Sequence, residues 1–365
     1  MIRPPGKRFR WLLLPPLVLV VLGALHTAIW RSASSALGQG FDEWAAQRRA
    51  QGWAVSHGPP QRGGWPFAVT LTVPEIVIAG SARTTPAELQ WQAQSLVLRV
   101  ALLEWDRLVV AARGRQLLSL LGLDIPYAAD RMELTLPLEG GAFPREALLE
   151  TERMRLNSPL GAFELRGGML ALRSRLSATE GEPALTIELS ARELTLPGPG
   201  PGALGSRMEV VALEGAISGP LPTPRHPTQR AEAWRDAGGT IEISRAELHW
   251  GPLVASLSAT GTLDEALQPM GAGQLRVSGA QDAVNALIAT GWLARGAAGT
   301  ARTMVALLSR PDADGGPPVL ELPITLAERR IGLYRLPLAR LPALQWPTPP
   351  ELPDAARDPS LPGTD

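Results

Sequence analysis

Arg131-Met-Glu-Leu-Thr-Leu-Pro-Leu138 alternates apolar and polar side chains at a period of two. Met132, Leu134, Leu136 and Leu138 share one side, while Arg131, Glu133 and Thr135 take the other. Successive side chains of a strand point to opposite faces of its sheet, so this pattern describes a strand with one buried face. The same period recurs in Leu185-Thr-Ile-Glu-Leu189, Leu253-Val-Ala-Ser-Leu257 and Leu320-Glu-Leu-Pro-Ile-Thr-Leu326. Further strands are predicted within 67–78, 89–100, 108–112, 163–176, 208–217 and 241–250. The apolar phase slips from odd Leu185, Ile187 and Leu189 to even Leu194 and Leu196, which predicts a bulge or turn near Ala191.

Roughly a dozen closely spaced strands with no helical pattern before residue 280 predict a mainly β fold, a long curved antiparallel meander rather than crossover units. Its apolar face must be hidden by closing into a barrel, by stacking as a sandwich, or by forming a groove that a lipid fills. Periodicity does not choose between these. Residues 280–310 read differently: Ala283, Leu287, Val305 and Leu308 among many alanines predict two short helices, interrupted by Gly291, Gly296 and Gly299. Arg295 and Arg302 argue against a membrane span there. Strands resume at Val319 and continue to residue 346, within the domain that begins at 53–279. The stretches 197–202 and 220–227 are rich in Pro and Gly and read as surface loops. The tail 347–365 has too little apolar content to pack and is expected to be disordered.

Ahead of the strands, residues 11–30 (Trp11-Leu-Leu-Leu-Pro-Pro-Leu-Val-Leu-Val-Val-Leu-Gly-Ala-Leu-His-Thr-Ala-Ile-Trp30) carry no charge. At about 1.5 Å per residue they reach about 30 Å, the hydrocarbon thickness of a bilayer. Trp11 and Trp30 stand where interfacial aromatics are expected. Arg3, Lys7, Arg8 and Arg10 precede the span within segment 1–10, against Arg31 alone just after it. The positive-inside rule then keeps the N-terminus in the cytoplasm and predicts a single-pass inner-membrane protein with a periplasmic body. A cleaved signal peptide is the alternative, with Ser34-Ser35-Ala36 as its processing site, but the apolar run is long for that and Trp30-Arg31 intervenes. Residues 31–52 follow as a connecting segment whose 37–51 stretch reads as an amphipathic helix, with Phe41, Trp44 and Ala45 on one side and Arg48 and Arg49 on the other.

Composition narrows the chemistry. The 365 residues balance 35 Lys plus Arg against 35 Asp plus Glu and contain no Cys. Neutrality argues against a nucleic-acid partner, since affinity for phosphate backbones rests on excess positive charge. Without cysteine there is no disulfide, thiolate zinc site or cysteine nucleophile, and Lys7 as the sole lysine removes a phosphate-loop or Schiff-base lysine. Neither Gly-x-Ser-x-Gly nor His-Glu-x-x-His occurs. Gly198-Pro-Gly-Pro-Gly202 has the look of a glycine loop, but its prolines lack the amide donors that cradle phosphate. No two of His26, His57, His226 and His249 are spaced as a helical ligand pair. His57 beside Gly58-Pro59-Pro60 reads as a turn residue, and His249 should face opposite to Leu248 and Trp250. Glu133, Glu188, Glu242 and Glu247 alternate with apolar residues and read as a solvated polar face. No cofactor is expected, and the chain reads as non-enzymatic.

Gly52-Trp-Ala-Val-Ser-His-Gly-Pro-Pro-Gln-Arg-Gly-Gly-Trp-Pro-Phe67, Trp234-Arg-Asp-Ala-Gly-Gly-Thr-Ile-Glu-Ile243 and Leu248-His-Trp-Gly-Pro-Leu253 resemble segments of an uncharacterised alphaproteobacterial family of membrane-anchored proteins, domain of unknown function 2125. The resemblance spans roughly 40–345 and brings no catalytic residues. More distantly, the layout and the run from Leu322 to Leu338 are similar to AsmA-like envelope proteins, which implies envelope biogenesis or phospholipid transport. The candidate site is an apolar sheet face built from Met132, Leu134, Leu136, Ile187, Leu189, Ile241, Ile243, Leu322, Ile324 and Leu326. Its ordinary role is a dry core, and its sharper one is a groove for the acyl chains of membrane lipid. An envelope scaffold that binds a protein partner through a sheet edge or the 280–310 helices is the alternative, and an envelope hydrolase around His57 is a third.

Overall fold

A computed structural model describes residues 14–80, 89–120, 122–139, 144–159, 161–220, 227–289, 295–311, 315–333 and 336–346. The basic segment 1–10, Trp11, His226, Gly291 and the tail 347–365 lie outside the described residues.

Helix α1 (Leu14–Ala50) has 37 residues, about 55 Å at 1.5 Å per residue. The expected anchor and connecting helix form one uninterrupted rod. Its two halves meet different surroundings. Leu17, Leu19, Val20, Leu22, Leu25 and Ile29 are exposed, whereas Ser34, Gly38, Phe41 and Ala45 are buried at helical spacing. Phe41 packs against Leu71, Val73 and Ile76 of the first long strand, with Leu96, Leu98 and Ala112 completing the cluster.

The strands are β1 (Ala54–Ser56), β2 (Gln61–Gly63), β3 (Ala68–Gly80), β4 (Leu89–Ala101), β5 (Glu104–Leu120), β6 (Leu123–Ala128), β7 (Arg131–Pro137), β8 (Glu146–Ser158) and β9 (Gly161–Ser174). There follow β10 (Pro183–Thr195), β11 (Arg207–Ser218), β12 (Ile241–Trp250), β13 (Leu253–Leu263), β14 (Pro269–Ser278), β15 (Ser309–Arg310), β16 (Val319–Ala327), β17 (Arg330–Leu333) and β18 (Leu336–Arg340). All belong to one 18-stranded antiparallel sheet. From β3 the chain meanders strand to neighbouring strand. The exceptions are β6 and β7, which lie end to end between β5 and β8 and pair with both, and β14, which pairs with β16. Among the described residues β1 and β2 pair only with β3, and β18 only with β17. The ends do not meet, so the sheet is open and not a closed barrel.

Helices α3 (Ala280–Ala289) and α4 (Arg295–Leu308) occupy the expected helical segment. One helix was not expected: α2 (Pro227–Asp236) lies between β11 and β12, with Ala231 and Trp234 buried three residues apart. Proline suits a first helical turn, where its missing donor costs nothing, so Pro227 begins this helix instead of extending the loop. The expected surface loop at 197–202 is partly tucked in, because Pro201 is fully buried and Leu204 nearly so.

The predicted irregularity near Ala191 occurs at Glu193, whose φ is 53°. Pairing stays in register across it, Arg192 with Val210 and Leu194 with Met208. Equivalent left-handed residues occur at Glu75 (φ 51°) in β3 and Arg153 (φ 47°) in β8, and β5 has Gly114 (φ 78°). Together they form a crease at which the apolar phase shifts by one; the ladders stay in register across Glu75, Arg153 and Glu193, while the β4–β5 pairing slips by one residue at Gly114. In β3 the buried set passes from Val69, Leu71 and Val73 to Ile76. Arg153 pairs with Asp130 at 2.7 Å, and Arg166 donates to Glu193 at 2.9 Å, so the crease carries charges that water solvates.

Just past Gly114, Gln116 is 3 % exposed and neither its Oε1 nor its Nε2 has a partner within the chain. It stands opposite Ala93 and Tyr127 in the ladder. An unsatisfied buried amide costs about 1–3 kcal/mol, so Gln116→Leu is expected to raise the free energy of unfolding by that order. Urea denaturation in detergent reads the effect, and a loss of stability would show that the amide is satisfied by an internal water.

Candidate functional site: a half-covered apolar face

Residues paired directly across a ladder lie on the same face. Leu71 pairs with Leu98, Leu98 with Val110, Val110 with Leu134, and Leu134 with Leu149. The row continues through Leu170, Leu189, Leu213, Ala246, Leu257 and Leu275 to Leu322. At about 4.8 Å per strand, this stripe of leucines runs roughly 50 Å across the sheet.

All ten candidate residues fall on that face. Leu134, Leu189 and Leu322 are in the row itself. Met132 and Leu136 flank Leu134, Ile187 precedes Leu189 by two, and Ile324 and Leu326 follow Leu322. Ile243 and Ile241 join through Ala259 and Gly261 of β13. The structure therefore places these positions on one surface, but it divides that surface into three environments.

At the β3–β5 end, the C-terminal half of α1 covers the face, and Met132 packs at the edge of that cluster. At the opposite end α3 and α4 cover it. Ala283 and Ala286 pack with Leu204 and Trp250, while Ala280 and Val305 pack with Leu320 and Leu322. Between these covers, Leu134, Leu149, Leu170 and Leu213 are only half-buried, and Leu189 is 38 % exposed. No described helix lies over them. Beside the second cover is an apolar cleft of about 280 Å³, lined by Ile241, Ile243, Leu257, Ile324, Leu326 and Ile331. Its floor includes Gly261 and Gly271, which are paired across β13 and β14 and leave no side chain to fill it. A second cleft, of about 620 Å³, opens at Gly167 and Gly168 beside the crease and is polar, with Glu150, Glu152, Arg166 and Arg192 around it.

The reverse face is charged. Glu188 bonds Arg173, Glu214 and Glu247 bond Arg245, and Glu133 bonds Arg131. Glu133, Glu188 and Glu214, by hydrogen bond first and charge second, hold Arg131, Arg173 and Arg245 above the ordinary guanidinium range, and Glu247 adds to the shift of Arg245 by charge alone. Thr179 amide donation likewise lowers the Glu182 carboxyl. These shifts favour the charged forms, as in solvated ion pairs, and none poises a base for proton transfer. Among the described residues Tyr127 alone moves toward its neutral form, because burial outweighs the hydrogen bond it accepts from Trp91.

His57 Nδ1 lies 2.8 Å from the Gly58 carbonyl, and its ring meets Phe41 edge-on at 5.0 Å. That is a packed turn residue. His249 takes the face opposite Leu248 and Trp250, as its position predicts, and bonds Glu247 at 2.6 Å along its own strand. Among the described residues no three His, Asp or Glu side chains gather as a metal site. Gly200-Pro-Gly-Ala-Leu-Gly205 has dinucleotide-fingerprint spacing that a reading of Gly198–Gly202 alone misses. It forms a single tight turn at Gly202–Leu204 between antiparallel β10 and β11, not the strand-to-helix turn which phosphate binding requires.

A family profile for an uncharacterized protein conserved in bacteria, DUF2125, matches residues 30–342. The chain belongs to the DUF2125 family. The match begins at the end of the exposed half of α1 and covers the whole described sheet. No curated protein and no solved structure matches the chain. The more distant likeness to AsmA-like proteins gains no support from these matches.

One row that passes from covered to open makes a direct test. Leu71, 2 % exposed, and Leu189, 38 % exposed, have the same side chain on the same face. Leu71→Ala is expected to cost about 2–5 kcal/mol through cavity formation. Leu189→Ala should cost about 1 kcal/mol, since its side chain is already partly in water. Equal losses in denaturant unfolding would mean that the middle of the face is covered in solution.

Proposed function

We propose that this DUF2125 protein is a non-enzymatic, inner-membrane-anchored protein that handles lipid through the open stretch of its apolar face, with its body in the periplasm. The observation that carries the reading is the uncovered leucine row between Leu134 and Leu213. A face that alternates cleanly with charge on its reverse is built to be buried, yet among the described residues cover is supplied only at its two ends. An acyl chain fits what is left. It is as apolar as leucine, needs no hydrogen bonds, and adds about 0.8 kcal/mol of affinity per buried methylene. The exposed apolar half of α1 supports a membrane origin for such a ligand, because it is the only described helix long and apolar enough to cross a bilayer. Envelope assembly is the process that such lipid handling would serve.

Leu307, 76 % exposed on α4, favours a second reading, an envelope scaffold that docks a protein partner on the α3–α4 cover. The two readings separate experimentally. Native mass spectrometry of the detergent-extracted protein, followed by organic extraction, is expected to release phospholipid, and a photoreactive phospholipid is expected to label β7–β11. Introducing charge by Leu170→Glu with Leu189→Glu should reduce that labelling several-fold while the protein stays folded. Lipid-free preparations and unlabelled strands would overturn lipid handling and leave the scaffold.

A further inference from the structure

Two side chains of α1 reach sideways to the first turn of the sheet. His26 Nε2 lies 2.7 Å from the Pro66 carbonyl, and Trp30 Nε1 donates to the Ala68 carbonyl at 2.8 Å. The segment 65–68 is therefore held level with residues 26–30, inside the uncharged apolar run and not beyond it. Next to it is the β4–β5 turn, since Leu102 donates its amide to the Phe67 carbonyl at 3.1 Å. Four large apolar side chains project here: Trp65 is 57 % exposed, Phe67 83 %, Trp105 76 % and Leu103 97 %. Such a cluster is unusual on a water-facing surface.

From this geometry we infer that the turns around Phe67 and Leu103 form a membrane-seated lip, dipping into the headgroup and upper acyl region of the same bilayer that α1 crosses. The inference rests on the anchor reading of α1. Trp30 follows His26 by four helical steps, about 6 Å along the axis, which places Pro66 at the depth where interfacial side chains sit, about 5–10 Å below the surface. Trp65 and Trp105 suit that layer, being apolar bodies with one polar N–H. The hydrogen bonds fit as well. Backbone carbonyls at the edge of the hydrocarbon lack water, and those of Pro66 and Ala68 are met by His26 and Trp30. A second copy of the chain could also cover an apolar patch, but the patch's fixed level beside an apolar helix singles out lipid.

The absence of cysteine makes the test direct. Leu103→Cys, Val21→Cys and Ser258→Cys, each in the full chain, are labelled with an environment-sensitive fluorophore and reconstituted into phosphatidylcholine–phosphatidylglycerol vesicles. Val21 reports on the middle of the uncharged run 11–30, and Ser258 on an exposed strand position. The label at 103 is expected to be blue-shifted and several-fold brighter than at 258, quenched by lipid-attached nitroxide and shielded from aqueous iodide. If the label at 21 is quenched by the nitroxide lipid while that at 103 is open to iodide, the lip is overturned and the anchor stands. A blue shift at 103 without nitroxide quenching overturns it in favour of a second copy. If the label at 21 is also outside the bilayer, the anchor reading fails and the lip with it.

Discussion

A single-layered sheet with one apolar face has more surface to hide than the described residues cover, and the rest of this structure follows from that imbalance. In a sandwich the second sheet would supply the missing half of the core, and in a barrel the curvature would. Neither occurs here. Instead α1 seals the face over β3–β5, α3 and α4 seal it over β12–β16, and the leucines between remain half in water. The charged reverse face cannot take over as a core, because its Arg–Glu pairs would lose their solvation for little return.

The crease adds a second constraint. A strand longer than about ten residues twists strongly, and a long row of such strands would carry its ends away from one another. The left-handed residues Glu75, Arg153 and Glu193 bend the sheet along a line without breaking its ladders. The cost is a local backbone penalty of about 1–2 kcal/mol at each non-glycine position. What it provides is a face on which Leu189 and Leu194, of opposite phase in sequence, both point inward. Leu196 and Met208 then reach Trp250 and join the cluster under α3.

Much of this was legible in sequence where strands alternate cleanly. The segments around Leu134, Ile187, Ile243 and Ile324 were placed in strands, and their shared face emerged from parity within each strand. What parity cannot supply is register between strands, so whether the face was open or closed had to come from the structure. β8 escaped the reading altogether. Glu146-Ala-Leu-Leu-Glu-Thr-Glu-Arg-Met-Arg-Leu156 is made of strong helix formers and places Leu148 beside Leu149, which spoils the period of two. It is a strand because β7 and β9 pair with both its edges, an instance of tertiary pairing overriding local preference. β14 was hidden differently, since Gly271 and Gly273 erase the apolar half of its pattern while opening the cleft beside Ile324. The continuity of α1 was obscured by the change in character at Trp30, where composition breaks but the helix does not.

That change at Trp30 also relates the lip to the open face. α1 lies on the same strands, β3–β5, that carry Phe67 and Leu103 at their ends, so under the proposed anchoring it blocks the apolar face at the end turned to the bilayer. A lipid entering from that bilayer would then have no route to the open leucines through β3. The neighbouring ends offer another way: the Leu138 amide bonds the Asp106 carbonyl at 2.7 Å, which sets Leu138, 47 % exposed, beside the turn that carries Trp105. From there Leu136 and Leu134 lead along β7 directly into the half-buried row. An apolar path from the proposed lip to the open face would therefore skirt the edge of α1, and the helix proposed as the membrane anchor would also be the wall that sets where such a path begins.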